Sequence, residues 1–219
     1  MRHLMACGFG LSARYTSTSR ESPTTSGRTR ARGVDMKVLS TLALALLATS
    51  CATTTTERLR LQTLKTVDHV DLQRYLGTWY EIAAFPQRFQ KGCTGSTANY
   101  TLRDDGEIDV LNRCRKGSLD GEEKVAKGRA RVVDRATNAK LEVSFFGPFW
   151  GDYWIVDLGA DYEYAVVGHP SRDYLWILSR TPTMETAVYD GIITRLRAQG
   201  YEVERLSRTL QPRGSSVGR

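Results

Sequence analysis

The stretch Val125-Ala126-Lys127-Gly128-Arg129-Ala130-Arg131-Val132 alternates between ionised and small or apolar residues. Successive side chains of a β-strand point to opposite faces. Lys127, Arg129 and Arg131 therefore share one face, and Ala126, Gly128, Ala130 and Val132 the other. The charged set must meet water, which turns the small set inward. A wall of small residues leaves space beside it.

The neighbouring sequence repeats this pattern. Strand-like runs cover Gly77–Phe85, Ser96–Leu102, Glu107–Cys114, Val125–Asp134, Leu141–Phe145, Tyr153–Leu158, Tyr162–Gly168 and Tyr174–Ser179, separated by turn residues. Eight short runs with short connections predict an all-β chain, an eight-stranded antiparallel up-and-down barrel that leaves no free sheet edge. Alternation points Ala98, Tyr100 and Leu102 one way and Asn99 and Thr101 the other. It turns Leu141, Val143 and Phe145 inward. With Asp157 and Glu163 outside, it also turns Trp154, Val156, Leu158, Tyr162, Tyr164 and Val166 inward. A barrel of this size either fills its interior or holds one small ligand. The aromatic and aliphatic lining suits an apolar ligand; a packed barrel without a pocket is the competing reading.

Met184–Gln199 predicts one C-terminal helix on the outside of the barrel, with Thr183 as N-cap and an apolar stripe through Val188, Ile192 and Leu196. Tyr201–Leu206 reads as a last strand.

The first 64 residues read differently. Residues 1–35 carry six arginines and little apolar periodicity, as a disordered upstream over-extension would. Met36-Lys37 and the apolar run that follows, through residue 50, have the pattern of a secretion signal. Ala48-Thr49-Ser50-Cys51 resembles a lipobox, which would make Cys51 the acylated residue of a lipoprotein. Residues 51–64, with the run Thr53–Thr56, would then be a flexible tether. The net charge of +7 is mostly a property of this region, because residues 1–50 hold seven bases and two acids. With +2 left for the rest, the high isoelectric point does not imply a nucleic-acid partner.

Cys93 and Cys114 flank an Asp-Gly turn at Asp105-Gly106. Counting outward from it brings them within disulfide reach, and an oxidising envelope compartment would close the bridge. The alternative is a reactive thiol in the barrel.

Gly77-Thr78-Trp79-Tyr80-Glu81 resembles the Gly-x-Trp start of a lipocalin. Leu158-Gly159-Ala160-Asp161-Tyr162 followed by Ala165-Val166-Val167 resembles the family's second motif. Leu175-Trp176-Ile177-Leu178-Ser179-Arg180-Thr181-Pro182 resembles the third. Ser144–Trp150 and Arg172–Trp176 are similar to the bacterial outer-membrane lipocalins, relatives of apolipoprotein D. The likeness spans about residues 65–212 and leaves 213–219 as a disordered tail.

The resemblance implies that Gly77, Trp79 and Arg180 build the barrel base, with Arg180 stacked on Trp79. It implies a fatty-acid- or lysophospholipid-type ligand, stored or carried at the outer membrane by a protein anchored there and facing the periplasm. Phe85, Phe89, Tyr100, Ala130, Phe145, Trp154 and Tyr164 are the expected ligand contacts, with Phe85 and Phe89 as an apolar lip and Arg88 and Lys91 beside them for an anionic headgroup. If Trp79 faces inward, Glu81 does too, unless a bulge intervenes; a bulge or a bonded structural role is expected. No catalytic, metal or cofactor motif is recognised among His69, His169 and the acidic turn. An envelope structural or stress protein with a filled barrel and, less favoured, a cavity-thiol enzyme are the alternative functions, and a homodimer is left open.

Overall fold

The computed structural model describes residues 63–212. The expectations for the leader, Cys51, the tether up to residue 62 and the tail after 212 lie outside those residues. Leu64, expected at the end of the flexible tether, is instead 3% exposed and packed in an apolar cluster of the domain. Asp71 caps the short helix α1 (Leu72–Tyr75), its carboxylate accepting from the backbone N–H groups of Gln73 and Arg74. Eight antiparallel strands make the barrel: β1 (Gly77–Ala84), β2 (Cys93–Leu102), β3 (Ile108–Lys116), β4 (Glu123–Val132), β5 (Lys140–Phe146), β6 (Phe149–Leu158), β7 (Tyr164–Gly168) and β8 (Leu175–Ser179). Each pairs with the next, and β1 pairs with both β8 and β2, which closes the cylinder.

The helix α2 (Thr186–Ala198) packs outside. Its Ile192 and Leu196 are fully buried against Val166 and Ile177, while Val188 stays partly exposed. The helix begins after the expected cap: Thr183 makes no capping bond, and Glu185 precedes the first turn without a side-chain cap. Arg195 secures the helix to the barrel, its Nε 2.7 Å from Asp157 and its Nη2 donating to the Tyr164 hydroxyl at 3.0 Å. Arg172 donates to the carbonyl of Gln199 at the C-terminal end.

The expected last strand at Tyr201–Leu206 is instead a tight turn, and the strand β9 (Ser207–Arg208) follows it. β1 and β2 pair only from Gly77↔Tyr100 to Tyr80↔Thr97 and then separate. The tail occupies that gap. β9 pairs with Ala83 and Ala84, Thr209 N donates to Ile82 O, and Gly95 N donates to Leu210 O.

Two apolar clusters result. One fills the barrel around Trp79, Tyr100, Ile108, Leu141, Ile155, Val167 and Leu178. The other lies between barrel and helix, around Ile82, Phe85, Val156, Val166, Leu175 and Ile177.

Candidate functional site: the barrel interior

The alternation in β4 holds. Ala130 is buried inside, and Val132 packs on the same cluster. Arg129 and Arg131 lie outside in ion pairs with Glu107 and Glu142. Leu141, Val143 and Phe145 also face inward. The Phe145 ring packs against Gly128, where an added Cβ would approach it within 2.8 Å and the Ser144 carbonyl within 2.7 Å. The glycine therefore makes room for that aromatic wall.

The floor is a polar-edged aromatic plug. The Arg180 guanidinium lies 3.7 Å from the centroid of the Trp79 ring. It donates to the carbonyls of Thr78 at 3.0 Å and Arg74 at 2.6 Å, and Trp79 Nε1 donates to Tyr75 O at 2.8 Å. Above them the Tyr153 hydroxyl bonds those of Tyr75 at 2.7 Å and Tyr100 at 2.9 Å. Burial pushes the Tyr100 phenol up to about 12, although its bond to Tyr153 works the other way. Burial raises Tyr75 and Tyr153 as well, so all three stay neutral. The cavity between these rings and the side chains of Ile108, Ala130, Leu141 and Val143 measures only about 10 Å³, room for roughly one water. The floor is filled.

Toward the mouth the wall changes character. The register sets Asn112 opposite Ala98 and Ala126, on the face shared by Val110 and Gly128. Glu81 pairs with the interior Leu178, so it faces inward, and the bulge follows it at Ile82. Its carboxylate accepts from Gln90 Nε2 at 2.7 Å and Thr209 Oγ1 at 2.5 Å. Gln90 Oε1 in turn accepts from Trp176 Nε1 at 2.9 Å. Burial raises the Glu81 pKa, with the two donors opposing. The bonded role expected for Glu81 is thus the one it has.

Cys93 and Cys114 form a disulfide with Cα atoms 5.4 Å apart. They are not directly opposed: Cys93 faces Lys116, two residues beyond Cys114 on β3. With both sulfurs bonded, neither is a free thiol nucleophile.

Several predicted contacts are corrected. Phe85 is no lip: it is 1% exposed in the outer cluster, with Tyr201 against its edge and Arg205 4.4 Å over its ring. The bulge at Ile82 changes the parity of the strand before it reaches Phe85. Phe89, 71% exposed in the short turn Arg88–Gln90, does stand at the rim.

Trp154 and Val156 also pack in the outer cluster, because β6 has a register shift between Ile155 and Asp157. Tyr153 and Ile155 take the inner positions. Tyr164 and Val166 lie under the helix while Ala165 and Val167 face inward. Glu163 lies in a turn, after Tyr162 at φ 61°, so alternation does not carry through it. Tyr100, Ala130 and Phe145 remain on the inner wall. Tyr75, Tyr153, Trp176 and Asn112 were not anticipated as lining. The Tyr153 and Trp176 positions follow from correct parity, whereas Tyr75 comes from a helix that strand patterning does not reveal.

An up-and-down antiparallel barrel of eight strands, plugged at one end by a Trp–Arg pair and braced by an external helix, defines a class of proteins built around one internal space. The chain belongs to the lipocalin family: residues 70–211 match the lipocalin-like domain. It is 40% identical to the outer membrane lipoprotein Blc of Escherichia coli over 168 residues, 77% of this chain and 92% of that one. It is 37% identical over 155 residues to mouse apolipoprotein D, covering 66% of this chain and 78% of the relative. Insecticyanin from the tobacco hornworm Manduca sexta shares the fold, with a TM-score of 0.56 at 19% identity over 70% of this chain and 87% of that one.

Proposed function

We propose that the protein binds one acyl-chain amphiphile, of fatty-acid or lysophospholipid type, in the upper half of the barrel. The observation that carries this reading is the inner wall of Ala98, Ala126 and Gly128 above the filled tyrosine floor. Small residues there leave space against an apolar neighbour, Phe145, and each methylene moved from water into such a site gains about 0.8 kcal/mol. Phe89 at the rim gives an apolar entry, and Arg88 and Lys91 stand beside it for an anionic group.

The same reading holds the protein at the outer membrane by a lipid on Cys51, on the periplasmic side, in keeping with the relatives named outer membrane lipoproteins. Storage or carriage of the ligand, rather than turnover, is the activity inferred, and a second copy is not required. Titration of delipidated protein with a fluorescent fatty acid tests the binding reading: saturation at one probe per chain supports it. A packed envelope protein is the second reading, favoured by the single-water space at the floor. It predicts no saturable binding.

A further inference from the structure

Three buried polar atoms at one stretch of the wall have no hydrogen-bond partner among the described residues: Ser96 Oγ, Asn112 Oδ1 and Gln211 Oε1. Such atoms keep a desolvation penalty unless something binds them. They are neighbours by construction. Ser96, only 4% exposed, lies on β2 in step with the inward-facing Ala98 and Tyr100. Asn112 sits opposite Ala98 across the β2–β3 ladder. Gln211 Nε2 donates to the carbonyls of Ser96 and Glu81, each at 2.8 Å, so the tail brings its amide between β1 and β2. The bulge at Gly95, whose φ of 56° suits glycine, creates this place, and its N–H is bound to the tail at Leu210.

The chemistry of the group selects its complement. Two amide oxygens accept only, and a serine hydroxyl both donates and accepts. The nearby Glu81 carboxylate, already bonded to Gln90 and Thr209, disfavours a second anion. A group rich in O–H donors and uncharged fits best. We propose that Ser96, Asn112 and Gln211 form a polar shelf that holds the hydroxyl-bearing head of an amphiphile, a glycerol-like diol, while its chain lies along Ala98 and Ala126. This rests on the ligand-binding reading above and adds to it a headgroup class and an orientation.

The test is competition for a bound fluorescent fatty acid by 1-monoolein and by methyl oleate, on the full chain carrying Cys51→Ser. The two competitors share the oleoyl chain, and only monoolein has hydroxyls. Monoolein is expected to displace the probe at about tenfold lower concentration, the effect of roughly one net hydrogen bond. Ser96→Ala and Asn112→Leu are each expected to bring the ratio toward one by weakening monoolein alone, and Ser96→Ala to raise the unfolding midpoint of the unliganded protein. Equal displacement by both competitors in the wild type, or an unchanged ratio in both variants, overturns the shelf while leaving acyl binding intact: the polar atoms then bind solvent only. Absence of probe binding overturns the binding reading and the shelf with it.

Discussion

Replacing Arg180 tests what closes the floor. Its guanidinium lies 3.7 Å from the Trp79 ring centroid and donates to two carbonyls, at 3.0 and 2.6 Å. A cation–π contact contributes about 0.5–2 kcal/mol. Hydrogen bonds from a charged donor contribute about 1.5–3 kcal/mol each, less where water can replace the donor, as at this partly exposed side chain. Arg180→Ala should therefore cost about 2–4 kcal/mol. For a domain of this size each kcal/mol moves Tm by roughly 2–4 °C, so the expected fall is about 5–15 °C. Arg180→Lys keeps the charge but loses the planar fork, and about half the loss is expected. Thermal unfolding followed by far-UV circular dichroism and tryptophan fluorescence measures both. A fall of less than about 2 °C for Arg180→Ala, or a lysine variant equal to wild type, would refute the reasoning, since the fork would then be surface decoration.

Four further outcomes follow from the packing and the charges. Phe85→Ala should cost about 3–5 kcal/mol in urea unfolding because the ring is fully buried, whereas Phe89→Ala should cost under about 0.5 kcal/mol; similar costs would contradict the reassignment of Phe85. Removing the disulfide with the double substitution Cys93→Ala, Cys114→Ala frees a loop with a sequence separation of 21, and denaturation should show a loss of about 3 kcal/mol. Glu81 is held above its ordinary value of 4.5, so the native state binds its proton more tightly than the unfolded chain. Its stabilising contribution is complete below 4.5 and is lost as pH rises through the raised value. The difference in Tm between Glu81→Gln and wild type should accordingly shift in favour of the variant across that window, and a flat difference would count against the burial of this carboxyl. Ala126→Phe should weaken fatty-acid binding at least about tenfold with little change in Tm, because it fills the upper wall and leaves the floor alone; an unchanged affinity would place the ligand elsewhere.

The parts of this fold readable from sequence were those set by local repetition. Lys127, Arg129 and Arg131 against Ala126, Gly128 and Ala130 fixed the faces of β4, and the stripe of Ile192 and Leu196 fixed the buried face of α2. Gly77, Trp79 and Arg180 were found by their likeness to a family pattern, because they meet across more than a hundred residues of chain and share no local period. The side chains assigned to the wrong face share one physical origin. Alternation is a relative measure, and one extra residue inverts everything beyond it. The shifts at Ile82 and Val156 moved Phe85 and Trp154 to the helix side, and the turn through Tyr162 did the same to Tyr164. The tail strand and the partners of Glu81 were unreadable for another reason. They join residues such as Glu81 and Thr209, which are remote in sequence and carry no pattern of their own.

A crystal structure of the protein grown with a long-chain fatty acid or monoacylglycerol addresses the central claim most directly. Continuous density for one acyl chain beside Ala98, Ala126 and Phe145, ending above the Tyr75–Tyr153–Tyr100 floor, is the predicted result. A barrel whose upper half is closed by its own side chains, with the lipid absent or bound only on the outside, would contradict it.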